Sequence, residues 1–166
     1  MGRRLIAGLM TLLLSISLSL SSWAGAAWAQ ANTVNYNSTD LRGRDLSNTD
    51  FVGTTFVNAN MRQSDFHGAN LQGAILTKGI LSEANLQGAN LTGALVDRVN
   101  LMGADLTDVI LVEATLSSTR LQNAKITGAD FTDAILDRSE AIALCQRAEG
   151  TNPVTGALTR ESLGCR

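Results

Sequence analysis

Beyond residue 28 the chain has no tryptophan; its two, Trp23 and Trp28, sit near the start of 166 residues in which aromatics make up only 4%. One histidine, His67, one proline, Pro153, and two cysteines, Cys145 and Cys165, complete the short supply. No His/Cys/carboxylate group has metal-ligand spacing, and no Ser-His pair suggests nucleophilic catalysis. The register described below puts His67 on an outer face, where it reads as a solvated residue. Gly68 and Gly73 do not lead a strand into a helix, so they make no phosphate or dinucleotide loop. Charge of one sign is also missing: 13 Lys and Arg stand against 15 Asp and Glu. That balance gives no electrostatic case for nucleic acid. The expectation is a protein that is not an enzyme, with no cofactor, no metal and no small-molecule ligand.

Residues 1–29 read as a cleaved signal peptide. Arg3 and Arg4 form a positive start, Leu5 to Leu20 an apolar stretch, and Ala27-Trp28-Ala29 a small-x-small cleavage signal before Gln30. A cut near Ala24-Gly25-Ala26 or a retained anchor is the alternative. Arg3-Arg4 hints only weakly at twin-arginine over general export. Either way the folded part lies outside the cytoplasm. Loss of the signal leaves 11 basic and 15 acidic residues, a net charge of −4.

What the chain has is a period. Every fifth residue from Leu41 to Leu136 is Leu, Phe, Met, Val or Ile, twenty positions without a miss. Two residues before most of them stands a small residue, as at Ala69, Ala74, Ala84 and Ala89. On an α-helix five residues advance about 500°, which scatters the apolar side chains all round. On a flat strand they would alternate between faces. The chain must therefore turn by a fixed angle in every pentad. Gly or Asn recurs two residues after the core residue (Gly68, Gly73, Asn48, Asn58), as a turn needing φ > 0 selects. Asp or Asn recurs just before it (Asp65, Asn70, Asn85, Asn90), where it can bond nearby backbone. A fixed period of this kind points to a stacked solenoid.

Segments such as Ala69-Asn70-Leu71-Gln72-Gly73 and Ala89-Asn90-Leu91-Thr92-Gly93 resemble the A-(D/N)-L-x-x unit of pentapeptide repeat proteins. That resemblance implies an all-β, right-handed quadrilateral parallel β-helix with four pentads per coil, over residues 39–138. Twenty pentads then make about five coils, and with strand spacing of about 4.8 Å the tower is about 24 Å tall. Residues 30–40 read as a lead-in segment that packs Tyr36 over the first coil, and Arg44, at a normally small inward position, suggests that this coil is irregular. Residues 139–166 read as a helical cap, N-capped by Asp137 or Ser139 and ended by Gly150, with a turn at Asn152-Pro153.

In an exported protein Cys145 and Cys165 read as one disulfide, with a redox-active dithiol as the alternative. The tail from Gly150 to Cys165 also resembles that of thylakoid lumenal pentapeptide repeat proteins of cyanobacteria and chloroplasts. This implies the lumen as compartment, with periplasm as the fallback.

Folding the register into four columns singles out one face. On three faces the residue before the core position is mostly polar, with Ile80 and Ile110 as exceptions; on the fourth it reads Thr55, Ile75, Leu95, Thr115, Ile135. The same face carries Lys78, Arg98 and Arg138 beside Asp97 and Asp137. It is either a ladder packing on itself or a docking face for a protein, free or in a membrane-associated complex. The expected function is a structural or protein-interaction module. The alternative is the gyrase-binding branch of the family, which imitates DNA with a strongly acidic surface, and the mild charge and the signal peptide speak against it.

Overall fold

The computed structural model describes residues 34–166, so the signal peptide and residues 30–33 lie outside the described residues. No described helix is long and apolar enough to cross a membrane. From Asn35 to Ile135, parallel bridges join residues twenty apart: Asp45 to Asp65 to Asn85 to Asp105 to Lys125 on one face, for example. Four pentads therefore complete one circuit, and each circuit stacks on the one before.

In the pentad around Leu71 every backbone N–H has a defined use. Leu71 N donates up to Asn90 O (2.7 Å), Gly73 N up to Thr92 O (2.9 Å), and Asn70 N down to Thr49 O (3.0 Å). Ala74 N closes the turn onto Leu71 O at 3.0 Å. The residue two after the core position has positive φ at all twenty turns from Ser38 to Asp133, twelve of them non-glycine. With φ > 0 at the third turn residue alone, these are type II turns. Lys78 (φ 59°) and Arg98 (φ 55°) accept the left-handed strain because both flanking pentads are pinned by inter-coil bonds. At Gly68 a Cβ would stand 2.6 Å from Asn48 Oδ1 of the coil below, so any larger residue there would make the Asn48 side chain shift.

The fifth N–H, on the residue after the core position, explains the recurring Asn and Asp. All twelve that stand just before a core residue, from Asn35 to Asp130, accept this N–H through Oδ1, as Asn90 does from Thr92 N at 3.0 Å. The side chain thus finishes the pairing that the turn leaves open.

The core is the column of large residues with the small ones between them, and most are fully buried. Ser64 and Thr119 fit the small inward position because their hydroxyls bond the carbonyls of Met61 and Val96. At the N-terminal end an aromatic cluster fills the core. Tyr36 stacks on Phe56, twenty residues on, at 5.1 Å and 8°, and Phe51 meets Phe56 and Phe66 edge-on. Tyr36 is itself a register position: Thr39 N bonds Tyr36 O, the closure made in most later turns, Leu46 and Val96 excepted. The regular pattern therefore starts one pentad earlier than expected. Arg44 does not disturb it, since its N bonds Leu41 O, its O accepts from Asp65 N, and its side chain stays exposed.

At the other end the register stops one pentad early. Helix α1 (Arg138–Cys145) begins where the turn after Leu136 would fall, so Arg138 leaves the column of Lys78 and Arg98. Asp137 holds the N-cap position without capping; its carboxylate accepts from Ser118 N at 2.8 Å. The last circuit would otherwise leave upward donors unpaired, and the tail supplies acceptors for several. Glu140 Oε1 takes Leu121 N (3.2 Å), Glu149 O takes Gly128 N (2.9 Å), and Ser162 Oγ takes Phe131 N (3.0 Å). Arg147 donates to Leu121 O and Ala124 O, and Leu144 is fully buried against the core. Asn152, also buried, reaches Gly128 O at 2.9 Å beneath the antiparallel bridge between Thr151 and Leu158. Helix α2 (Thr159–Ser162) follows, and a Cys145–Cys165 disulfide ties α1 to the last residues.

Candidate interaction face

The fourth face is assembled as the register requires. Asn35, Thr55, Ile75, Leu95, Thr115 and Ile135 bridge in succession up one side. Ile75 is half-buried, whereas Leu95 and Ile135 keep 38% and 59% of their surface. Lys78 and Arg98 stand at equivalent turns of consecutive circuits beside this ladder; Arg98 Nε pairs with Asp97 at 2.7 Å, and Lys78 has no ion-pair partner among the described residues. Arg138 is close in sequence but belongs to α1.

A feature that the residue-by-residue reading missed lies in the backbone. Thr, Ile and Leu replace Asn and Asp along this ladder, so nothing accepts the N–H of the residue after each core position. Thr77, Asp97 and Ser117, one above another, have N–H groups without an acceptor among the described residues. Lower in the column the N–H groups of Asn37 and Val57 are served, by Asn35 Oδ1 and Asn37 Oδ1, each at 2.8 Å. On the other faces such a gap is isolated, at Ser82 and Val112, or falls in the last circuit, at Gln122 and Thr127. The missing Asn and Asp at 75, 95 and 115 were the signal that would have found it.

Elsewhere the surface mixes signs. Arg42 pairs with Asp40 (2.7 Å), Arg62 with Glu83 (2.7 Å) and Lys125 with Asp105 (2.9 Å). The Glu83 carboxyl is held below its ordinary range by the Gln63 amide and by Arg62. At Asp105 burial opposes the charge, but the Thr107 hydroxyl and Lys125 outweigh it, and the pKa falls. His67 is exposed on an outer face. No group of His, Cys, Asp and Glu among the described residues could hold a metal.

Comparison with known proteins agrees with this geometry. The family model for pentapeptide repeats matches residues 37–73, 64–101 and 100–138. Thylakoid lumenal protein TL20.3 of Arabidopsis thaliana is 58% identical over 45 residues, which are 27% of this chain and 16% of that protein. Thylakoid lumenal 15 kDa protein 1 of the same plant is 42% identical over 48 residues, 29% of this chain and 21% of that one. The match thus spans less than a quarter of either relative. A crystal structure of a pentapeptide repeat protein from the Arabidopsis thylakoid lumen superposes with a TM-score of 0.77 at 36% identity, covering 79% of this chain and 91% of that chain. With residues 37–138 matched and that likeness over most of both folds, the chain belongs to the pentapeptide repeat family and is a right-handed quadrilateral β-helix.

Proposed function

We propose that the protein is an exported, non-enzymatic interaction module of the thylakoid lumen: a tower of about five coils, closed at its C-terminal end by the disulfide-tied tail, that docks a protein partner through its fourth face. The observation that carries this reading is the row of free N–H groups at Thr77, Asp97 and Ser117 beside Ile75 and Leu95. A ladder serving only its own packing would keep the Asn and Asp that complete the pairing on the other faces. Replacing them forgoes about 0.5–1.5 kcal/mol per bond and exposes apolar surface, both of which a partner offering acceptors and apolar side chains offsets. The lumenal relatives support the compartment, with periplasm as the alternative. The paired charges of both signs favour this reading over imitation of DNA.

Crosslinking in intact cells followed by fractionation tests both halves of the proposal. The mature protein should be lumenal and crosslinked to a protein that is lost from the triple variant Ile75→Asp, Leu95→Asp, Ile135→Asp. Those carboxylates restore the pattern of the other faces, so the variant's circular dichroism should stay unchanged. A partner retained by the folded variant would remove the fourth face as the docking site.

A further inference from the structure

One face of α1, formed by Arg138, Ala141, Ile142 and Cys145, and the segment Leu163–Arg166 form the two walls of an open groove of about 620 Å³, and the disulfide joins them. This lies in the range of binding clefts, about 300–1,000 Å³. The walls are mostly apolar, and Ile142 keeps 57% of its surface. Arg138 and Arg166 border the groove, and neither has an ion-pair partner among the described residues. The carboxylates nearest Arg138 in sequence are engaged elsewhere: Asp137 accepts from Ser118 N, and Glu140 accepts from Leu121 N and Gln122 Nε2. No acidic residue lines the groove. Arg138 is also the first residue of α1, where a cation opposes the helix dipole, so its charge does nothing for the helix.

We propose that this groove binds an extended acidic peptide segment, seating one large apolar side chain against Ile142 and Leu163 while its carboxylates meet Arg138 and Arg166. Charge complementarity selects the sign, and the two-walled shape selects an inserted side chain over a flat surface. An anionic membrane fits less well. Recognition of a charged bilayer uses clusters of roughly four to eight basic residues, and this chain carries an excess of acid. The proposal concerns a surface other than the fourth face and stands without it.

The test is fluorescence anisotropy on the mature, oxidised chain with a labelled peptide of Asp and Glu around one Phe. Its controls are the same peptide with Lys for the acids and vesicles of phosphatidylglycerol. The acidic peptide should bind, the basic one should not, and Arg138→Glu and Ile142→Asp should each weaken binding about tenfold or more. Leu95→Asp should leave it unchanged, which separates this groove from the fourth face. Arg138→Glu favours the helix dipole and Ile142 is exposed, so both variants should keep the wild-type circular dichroism. Absence of binding by the acidic peptide, equal binding by the basic one, binding unaffected by both groove substitutions, or capture of the vesicles in preference to the peptide would each overturn the proposal.

Discussion

Asn90 shows what one residue does for a pentad: its Oδ1 accepts both Thr92 N (3.0 Å) and Thr92 Oγ1 (2.7 Å). Asn90→Ala leaves both donors without that partner, and urea unfolding should show a loss of about 0.5–1.5 kcal/mol. The converse substitution belongs to the fourth face. Leu95→Asn places an acceptor beside the free Asp97 N–H, and hydrogen exchange at that amide should slow by about tenfold, the equivalent of one modest bond. An Asp97 amide already slow in the wild type would contradict the account of this face. How far the residues could be read in advance follows from the same chemistry. Asp and Asn before the core position announced a side-chain bond to backbone, and Gly43 or Gly73 announced the positive φ. Lys78, Glu83 and Arg98 adopt that φ with no propensity for it; inter-coil bonding imposes it, which a local reading cannot register. The free N–H groups were legible only indirectly, through the missing Asn and Asp at 75, 95 and 115, because they are defined by an acceptor that is absent.

At the scale of an element, the tail is held to the tower by polar contacts that periodicity does not reveal. The sequence suggests a helix after residue 138 and pairs Cys145 with Cys165, but Arg147 and Asn152 look like ordinary surface residues until the unpaired groups of the last circuit are placed beneath them. Arg147→Ala should cost about 1.5–3 kcal/mol, the value of hydrogen bonds from a charged donor. Reduction of the disulfide, whose cysteines are 20 residues apart, should cost about 3 kcal/mol by loop entropy; thermal unfolding with and without a reductant measures it. The tail also buries Asp130 to 2% exposure. Burial penalises its charge, yet the Thr132 hydroxyl, Thr155 and the Thr132 N–H together leave its pKa below the ordinary carboxylate value. A carboxylate lowered in the fold binds its proton more weakly there than in the unfolded chain. Its contribution is therefore complete above the unfolded pKa, about 3.9, and is lost as pH falls through the lower folded value. Urea midpoints should hold between pH 7 and about 5 and fall below about 4, and Asp130→Asn should flatten that acid limb.

At the scale of the whole molecule, a stack in which each circuit touches only its neighbours behaves as a one-dimensional array, and its ends decide where unfolding begins. The two ends are built differently. The N-terminal circuits carry the stacked rings of Tyr36, Phe51, Phe56 and Phe66, so aromatic contact reinforces their coupling. The last circuit has Leu136 only half-buried and relies on Glu140, Arg147, Glu149 and Ser162 of the tail for pairing. Weakening the tail should therefore fray the tower from the C-terminal side without dissolving it. In the double variant Cys145→Ser, Arg147→Ala, native-state hydrogen exchange should speed up first at Leu121, Gly128 and Phe131, whose N–H groups bond the tail. The amides of Phe66, Leu71 and Leu86, two or more circuits below, should keep their wild-type protection. Uniform loss of protection along the whole register would mean that the tower unfolds as a single unit and that its neighbour-by-neighbour coupling is stronger than the stacked geometry implies. A graded loss would locate the stability of the fourth face in the middle circuits, where Ile75 and Leu95 stand. It would also explain how that face tolerates free N–H groups: the circuits that carry it are paired above and below, and only the ends depend on side chains for closure.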